Sequence, residues 1–127
     1  MRIAFIAQPF DRLSPPVQGG SLAIWIYQTA RICAGRGHAT FAHANTGPLF
    51  RGSATTHEGV QYIYTPTGPN RLINKLSHLV RRVGIRGSQL PQFAWASEDL
   101  GYALEAARSA KRRECHVVHI MNYSQYV

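Results

Sequence analysis

At 127 residues the chain has room for about one domain with a buried core. Hydrophobic residues make up 45%, too many for a disordered chain, and Lys+Arg 14 against Asp+Glu 6 leave a net charge of +8. That excess favours anionic partners (nucleic acid, phosphorylated small molecules or acidic lipid) without choosing among them.

In chain order, Arg2 to Ala7 (RIAFIA) is a short Ile/Phe-rich run suited to a strand buried on both faces. Gln8 to Gly20 follows as a long loop with three prolines and two adjacent glycines, Gly19 and Gly20. Ser21 is the expected N-cap of a helix reading LAIWIYQTARICAGRG, with Gly35 and Gly37 as its stop and Trp25 assigned to its core side. HATFAHAN predicts a second strand, Thr46 to Glu58 a polar connection, and Val60 to Thr65 a third strand. Arg71 to Arg86 has the strongest helical pattern, with Leu72, Ile73, Leu76, Leu79, Val80 and Val83 on one arc and Arg71, Lys75, His78, Arg82 and Arg86 opposite. A further helix is expected from Ser97 to Glu114, acidic at its start and basic at its end, as the macrodipole favours. HVVHIMN predicts a fourth strand, a buried one. The order of elements predicts an α/β fold: a Rossmann-like, mostly parallel sheet flanked by helices.

Cys33 and Cys115 have no Cys or His neighbour at metal-ligand spacing, and His38, His43, His57 and His116 are scattered. Neither a disulfide framework nor a metal site is expected. The apolar start is too short for a signal peptide, and no run approaches a membrane span, so a cytoplasmic location is expected. The basic face of Arg71 to Arg86 suits a solvated surface, an anionic acceptor, or peripheral attachment to the anionic inner face of a membrane.

Phosphate chemistry is the most specific signal. A dinucleotide-binding unit places G-x-G-x-x-G directly after its first strand and an acid at the end of the second. Here the glycines are adjacent, they come twelve residues after Ala7, and the second strand ends AHAN. NAD is disfavoured on both counts, and the absence of G-K-[ST] removes the P-loop. What remains is a glycine pair opening a helix. Such a site exposes backbone N–H groups to an anion, and glycine removes the Cβ that would block approach.

MRIAFIAQPF…VQGGSLAIWIYQTARICAGRGHATFAHAN resembles the opening of the family 4 glycosyltransferases, retaining enzymes of the GT-B fold. The later VVHIMNYSQYV resembles that family's strand ending Val-His-x-His-Asn; His119 and Asn122 match, and Met121 stands where the family has its second histidine. The resemblance implies an incomplete, acceptor-side domain over residues 1–127, with the nucleotide-sugar-binding C-terminal domain absent and the isolated chain inactive. It implies a nucleotide-diphosphate sugar as donor substrate, a hydroxyl acceptor (glycan, lipid or small molecule), and no bound cofactor. Gly19, Gly20 and Ser21 then form the donor diphosphate loop. His119, Asn122 and Tyr123 are substrate-binding candidates at a strand's C-terminal end, His119 reading equally well as a satisfied core histidine, and Trp25 reads as a core residue ahead of an acceptor platform. A cut domain is also expected to self-associate through uncovered apolar surface. The rival reading is a non-enzymatic basic α/β module that binds nucleic acid or an anionic membrane surface. No helix-turn-helix, RNP-like motif or clustered aromatics support the nucleic-acid form.

Overall fold

The computed structural model describes residues 1–9, 11–45, 52–65 and 90–121. They form one five-stranded sheet with two helices. In chain order these are β1 (Arg2–Ile6), α1 (Ser21–Gly35), β2 (Ala39–Asn45), β3 (Ser53–His57), β4 (Val60–Thr65), α2 (Leu90–Arg112) and β5 (Val117–Ile120). The strand order is β3-β4-β2-β1-β5. β1 pairs in parallel with β2 and β5, and β2 with β4, while β3 runs antiparallel to β4. The fold is therefore α/β with a mostly parallel sheet, compatible with a Rossmann-like arrangement.

β1 is buried because its two faces meet two different covers. Ile3 and Phe5 join Ala23, Ile26 and Tyr27 of α1 in the main core. Ile6, on the alternate face, packs with Tyr102 and Ala106 of α2. Ala42 and Ala44 of β2 and Ala23 and Ala30 of α1 are all fully buried, and such small side chains let helix and sheet approach closely. Across β1 and β2, the Tyr102 hydroxyl lies 3.0 Å from the Ala7 carbonyl and 2.9 Å from the His43 carbonyl. With one proton to share between two acceptors, it ties the C-terminal ends of both strands to α2.

Both helices end in the same way. Gly37 (φ 81°) donates to Ala34 O and His38 to Cys33 O, while Glu114 (φ 53°) donates to Lys111 O and Cys115 to Ala110 O. Each pair of bonds is a Schellman closure, with one residue in the left-handed region. Gly37 is thus the stop expected from the sequence, whereas Gly35 belongs to the helix.

Three expectations need correction. The segment expected as a polar connection contains β3, joined to β4 through Glu58 (φ 48°) and Gly59 (φ 78°). Positive φ at both central residues is the two-residue hairpin turn that suits strand twist. SATTH is exposed along most of its length and among the described residues pairs only with β4, so it carries no apolar alternation to betray it. The second helix begins at Leu90, with Pro91 in its first turn where a missing N–H costs nothing, so Glu98 and Asp99 do not open it. Finally, β5 is exposed rather than buried, and among the described residues it stands at the edge of the sheet. The expected helix over Arg71 to Arg86 lies outside the described residues.

Tyr27 fastens the β3–β4 turn to α1. Its hydroxyl donates to Glu58 Oε2 at 3.0 Å, its ring stacks on His57, and Arg31 pairs with Glu58 while lying over the Tyr27 ring. This cluster sits at the N-terminal end of β4, the opposite end of the sheet from the glycine loop.

Candidate functional site

β1 and its neighbours run in parallel, so their C-terminal ends lie on one edge of the sheet. The chain leaves β1 there, and β2 and β5 flank β1 on opposite sides. In open α/β sheets such a point of divergence is where ligands bind. The loop from Gln8 to Gly20 is held at this edge. Leu13 is fully buried in the core, and the Tyr64 hydroxyl at the end of β4 donates to the Leu13 carbonyl at 3.1 Å. Asp11, Arg12, Ser14, Gly19 and Gly20 help to line a cavity of about 480 Å³.

Gly20 is the N-cap of α1, with φ 79° and ψ 114°. Ser21 is therefore the first helical residue and not the cap expected from the sequence. The difference has a local cause: serine has no reason to avoid helical dihedrals, while the left-handed φ of the residue before it selects glycine. No side chain caps this end and no acidic residue occupies the first turn. An α-helix leaves its first N–H groups without intrahelical partners, and here no capping side chain stands in for a ligand. A Cβ on Gly19 would meet nothing within 4 Å, so the approach to that turn is open.

Asp11 is the residue that sequence reasoning missed. Its Oδ1 lies 3.7 Å from the point a Cβ on Gly20 would occupy, and its buried Oδ2 has no hydrogen-bond partner. Burial pushes the Asp11 carboxyl above its usual range. An acid in the loop directly after the first strand was the available signal. It bears on any anion bound here, because an ionised Asp11 opposes it and a protonated Asp11 does not.

The structure separates the remaining candidates. His119 is exposed on β5, and its ring lies 5.1 Å from the Trp25 ring and 6.0 Å from Phe5, centroid to centroid. It is thus neither a satisfied core histidine nor part of the Gly19–Ser21 turn. Trp25, expected on the core side, is 43% exposed. The stripe Ala23, Ile26, Tyr27, Ala30 faces inward, and Trp25 falls beside it, a position that helical periodicity could have revealed. Met121 is buried in the main core, and its N–H donates to Ile6 O at 3.0 Å, so this side chain serves packing. Asn122 and Tyr123 lie outside the described residues.

His43 is fully buried on β2 with both ring nitrogens unpartnered. Burial, with a smaller contribution from the positive Arg113, lowers its pKa to about 4, so the imidazole is neutral at physiological pH. Among the described residues no cluster of His, Cys, Asp or Glu is arranged to hold a metal ion. No helix among them is long and apolar enough to cross a membrane. Comparison with known proteins gives no matching family model, no matching curated protein and no matching solved structure.

Proposed function

We propose that this chain is the acceptor-side unit of a retaining, nucleotide-sugar-dependent glycosyltransferase, in which Gly19, Gly20 and Ser21 hold the donor's diphosphate. The observation that carries the reading is the uncapped N-terminus of α1. It opens on a left-handed glycine and borders a cavity at the C-terminal edge of a parallel sheet. The sequence resemblance supplies the reaction class.

In the reaction, the bond between the anomeric carbon and the diphosphate oxygen breaks, and the electron pair leaves with the diphosphate. The acceptor oxygen bonds to the anomeric carbon, and its proton passes to the departing diphosphate. Negative charge therefore grows on the leaving group as the bond lengthens. N–H groups fixed at the start of α1 are aimed at that charge before it forms, so they need no reorganisation. Each such donor is worth about 3 kcal/mol of barrier where it has been removed elsewhere. A second domain, implied by the resemblance, would hold the nucleotide.

Calorimetric titration with UDP, GDP and ADP, with the monophosphates and with heparin as controls, tests the reading. The reading expects diphosphates to bind more tightly than monophosphates. Heparin binding without any preference for diphosphates would contradict it and favour a general anionic-surface module.

A further inference from the structure

Trp25 and His119 come from different elements, yet their rings lie 5.1 Å apart with 34° between planes, and Phe5 meets Trp25 edge-on at 6.2 Å. Phe5 and His119 are register partners on β1 and β5. The aromatic group therefore stands at the line where the sheet's connections diverge, on the face covered by α1. Phe5 is buried beneath, while Trp25 and His119 remain exposed.

Helical geometry relates this group to the glycine turn. Ser21 and Trp25 are four residues apart, so their side chains share one face of α1, and both are exposed. Gly20 and Trp25 are separated by about 7.5 Å along the helix axis, and helical side chains lean back toward the N-terminus. A ligand at the first turn and a ligand on the indole would be close neighbours.

We infer that Trp25 and His119 form a shelf for the sugar ring of a hexopyranoside acceptor, an inference that rests on the function proposed above. The chemistry is that of a pyranose with one face of C–H groups and a rim of hydroxyls. The C–H face packs on the electron-rich face of an indole, whose quadrupole attracts the slightly positive hydrogens. The imidazole of His119 and the hydroxyl of Ser21 offer hydrogen bonds to the rim. A nucleobase would also stack on Trp25, but the transfer reaction places the acceptor, and not the base, beside the bond that leaves the diphosphate.

Saturation-transfer NMR tests the shelf, with methyl α-D-mannopyranoside, methyl β-D-glucopyranoside and uridine as probes, alongside a separate pyrophosphate titration. At least one glycoside is expected to receive saturation, most strongly at the ring protons of one face. Trp25→Leu should weaken its binding at least about tenfold, and His119→Gln should weaken it less. Trp25 is exposed, so the variant's fold is checked by an otherwise unchanged amide spectrum. The shelf is overturned if neither glycoside binds, if Trp25→Leu leaves binding unchanged, or if uridine alone binds at Trp25. Pyrophosphate binding without glycoside binding removes the shelf and leaves the proposed function standing. Glycoside binding lost in Trp25→Leu, without pyrophosphate binding at residues 19–22, keeps the shelf and removes the diphosphate role.

Discussion

Asp11 Oδ1 stands 3.7 Å from where a Cβ on Gly20 would be, so a carboxyl group shares the space in front of the α1 N-terminus. Burial raises its pKa, and a bound anion would raise it further by repulsion. Diphosphate binding should thus be coupled to proton uptake at Asp11. The expected outcome is that wild-type affinity for pyrophosphate rises more steeply than that of Asp11→Asn as pH falls from neutral. At neutral pH, Asp11→Asn should bind several-fold more tightly, on the scale of about 1 kcal/mol for a removed like charge at partial exposure. Equal affinities and equal pH slopes, measured by calorimetry, would separate Asp11 from the site.

The two glycines answer different questions. At φ 79°, any L side chain on Gly20 is strained, so Gly20→Val should lower stability by about 1–2 kcal/mol whatever the turn binds. A loss of function in that variant would carry no information about phosphate. Gly19 has open space around its missing Cβ and no left-handed φ. Gly19→Val should therefore keep the thermal midpoint within a few degrees of wild type. It should nevertheless weaken pyrophosphate binding about tenfold by crowding the approach. Thermal melts and calorimetry on both variants check the contrast.

His43 predicts acid sensitivity. The unfolded chain takes up the imidazole proton near pH 6.5 and the folded one near 4. Between these values the unfolded state holds more protons, so stability falls as the pH is lowered through that window. The full loss is on the order of 3 kcal/mol. His43→Leu should flatten this part of the profile in urea melts at pH 4 to 7. At neutral pH it should cost little, because it removes two unpartnered buried nitrogens along with some packing. An unchanged slope in the variant would place the acid sensitivity elsewhere.

The β5 edge predicts self-association. Val117, Val118 and Ile120 are 42%, 44% and 55% exposed, and they alternate across both faces of a strand that has one unpaired edge among the described residues. Sedimentation is expected to show concentration-dependent oligomers. Val118→Lys should reduce them, since an edge charge opposes strand addition. Monomer at all concentrations would contradict the expectation.

The fold was legible where burial imposes a pattern. RIAFI and VQYIYT read correctly because parallel strands are apolar on both faces or nearly so, and Gly37 read correctly because a helix must close through a left-handed residue. β3 was not legible, since SATTH draws its order from backbone pairing and a Glu-Gly turn rather than from burial. β5 misled for the reverse reason: VVHI has the composition of an interior strand, yet the described residues leave it at an edge. At the site, the glycine pair was visible in sequence, but the left-handed φ that makes Gly20 the cap was not. Nor was Asp11, whose importance comes from the loop folding back over the helix start.

The most direct test of the diphosphate turn is an amide NMR titration of the chain with pyrophosphate. The largest shifts are expected on the N–H groups of Gly19, Gly20, Ser21 and Leu22, and Gly19→Val is expected to suppress them. Shifts spread over the basic surface, with those four amides unmoved, would contradict the diphosphate role.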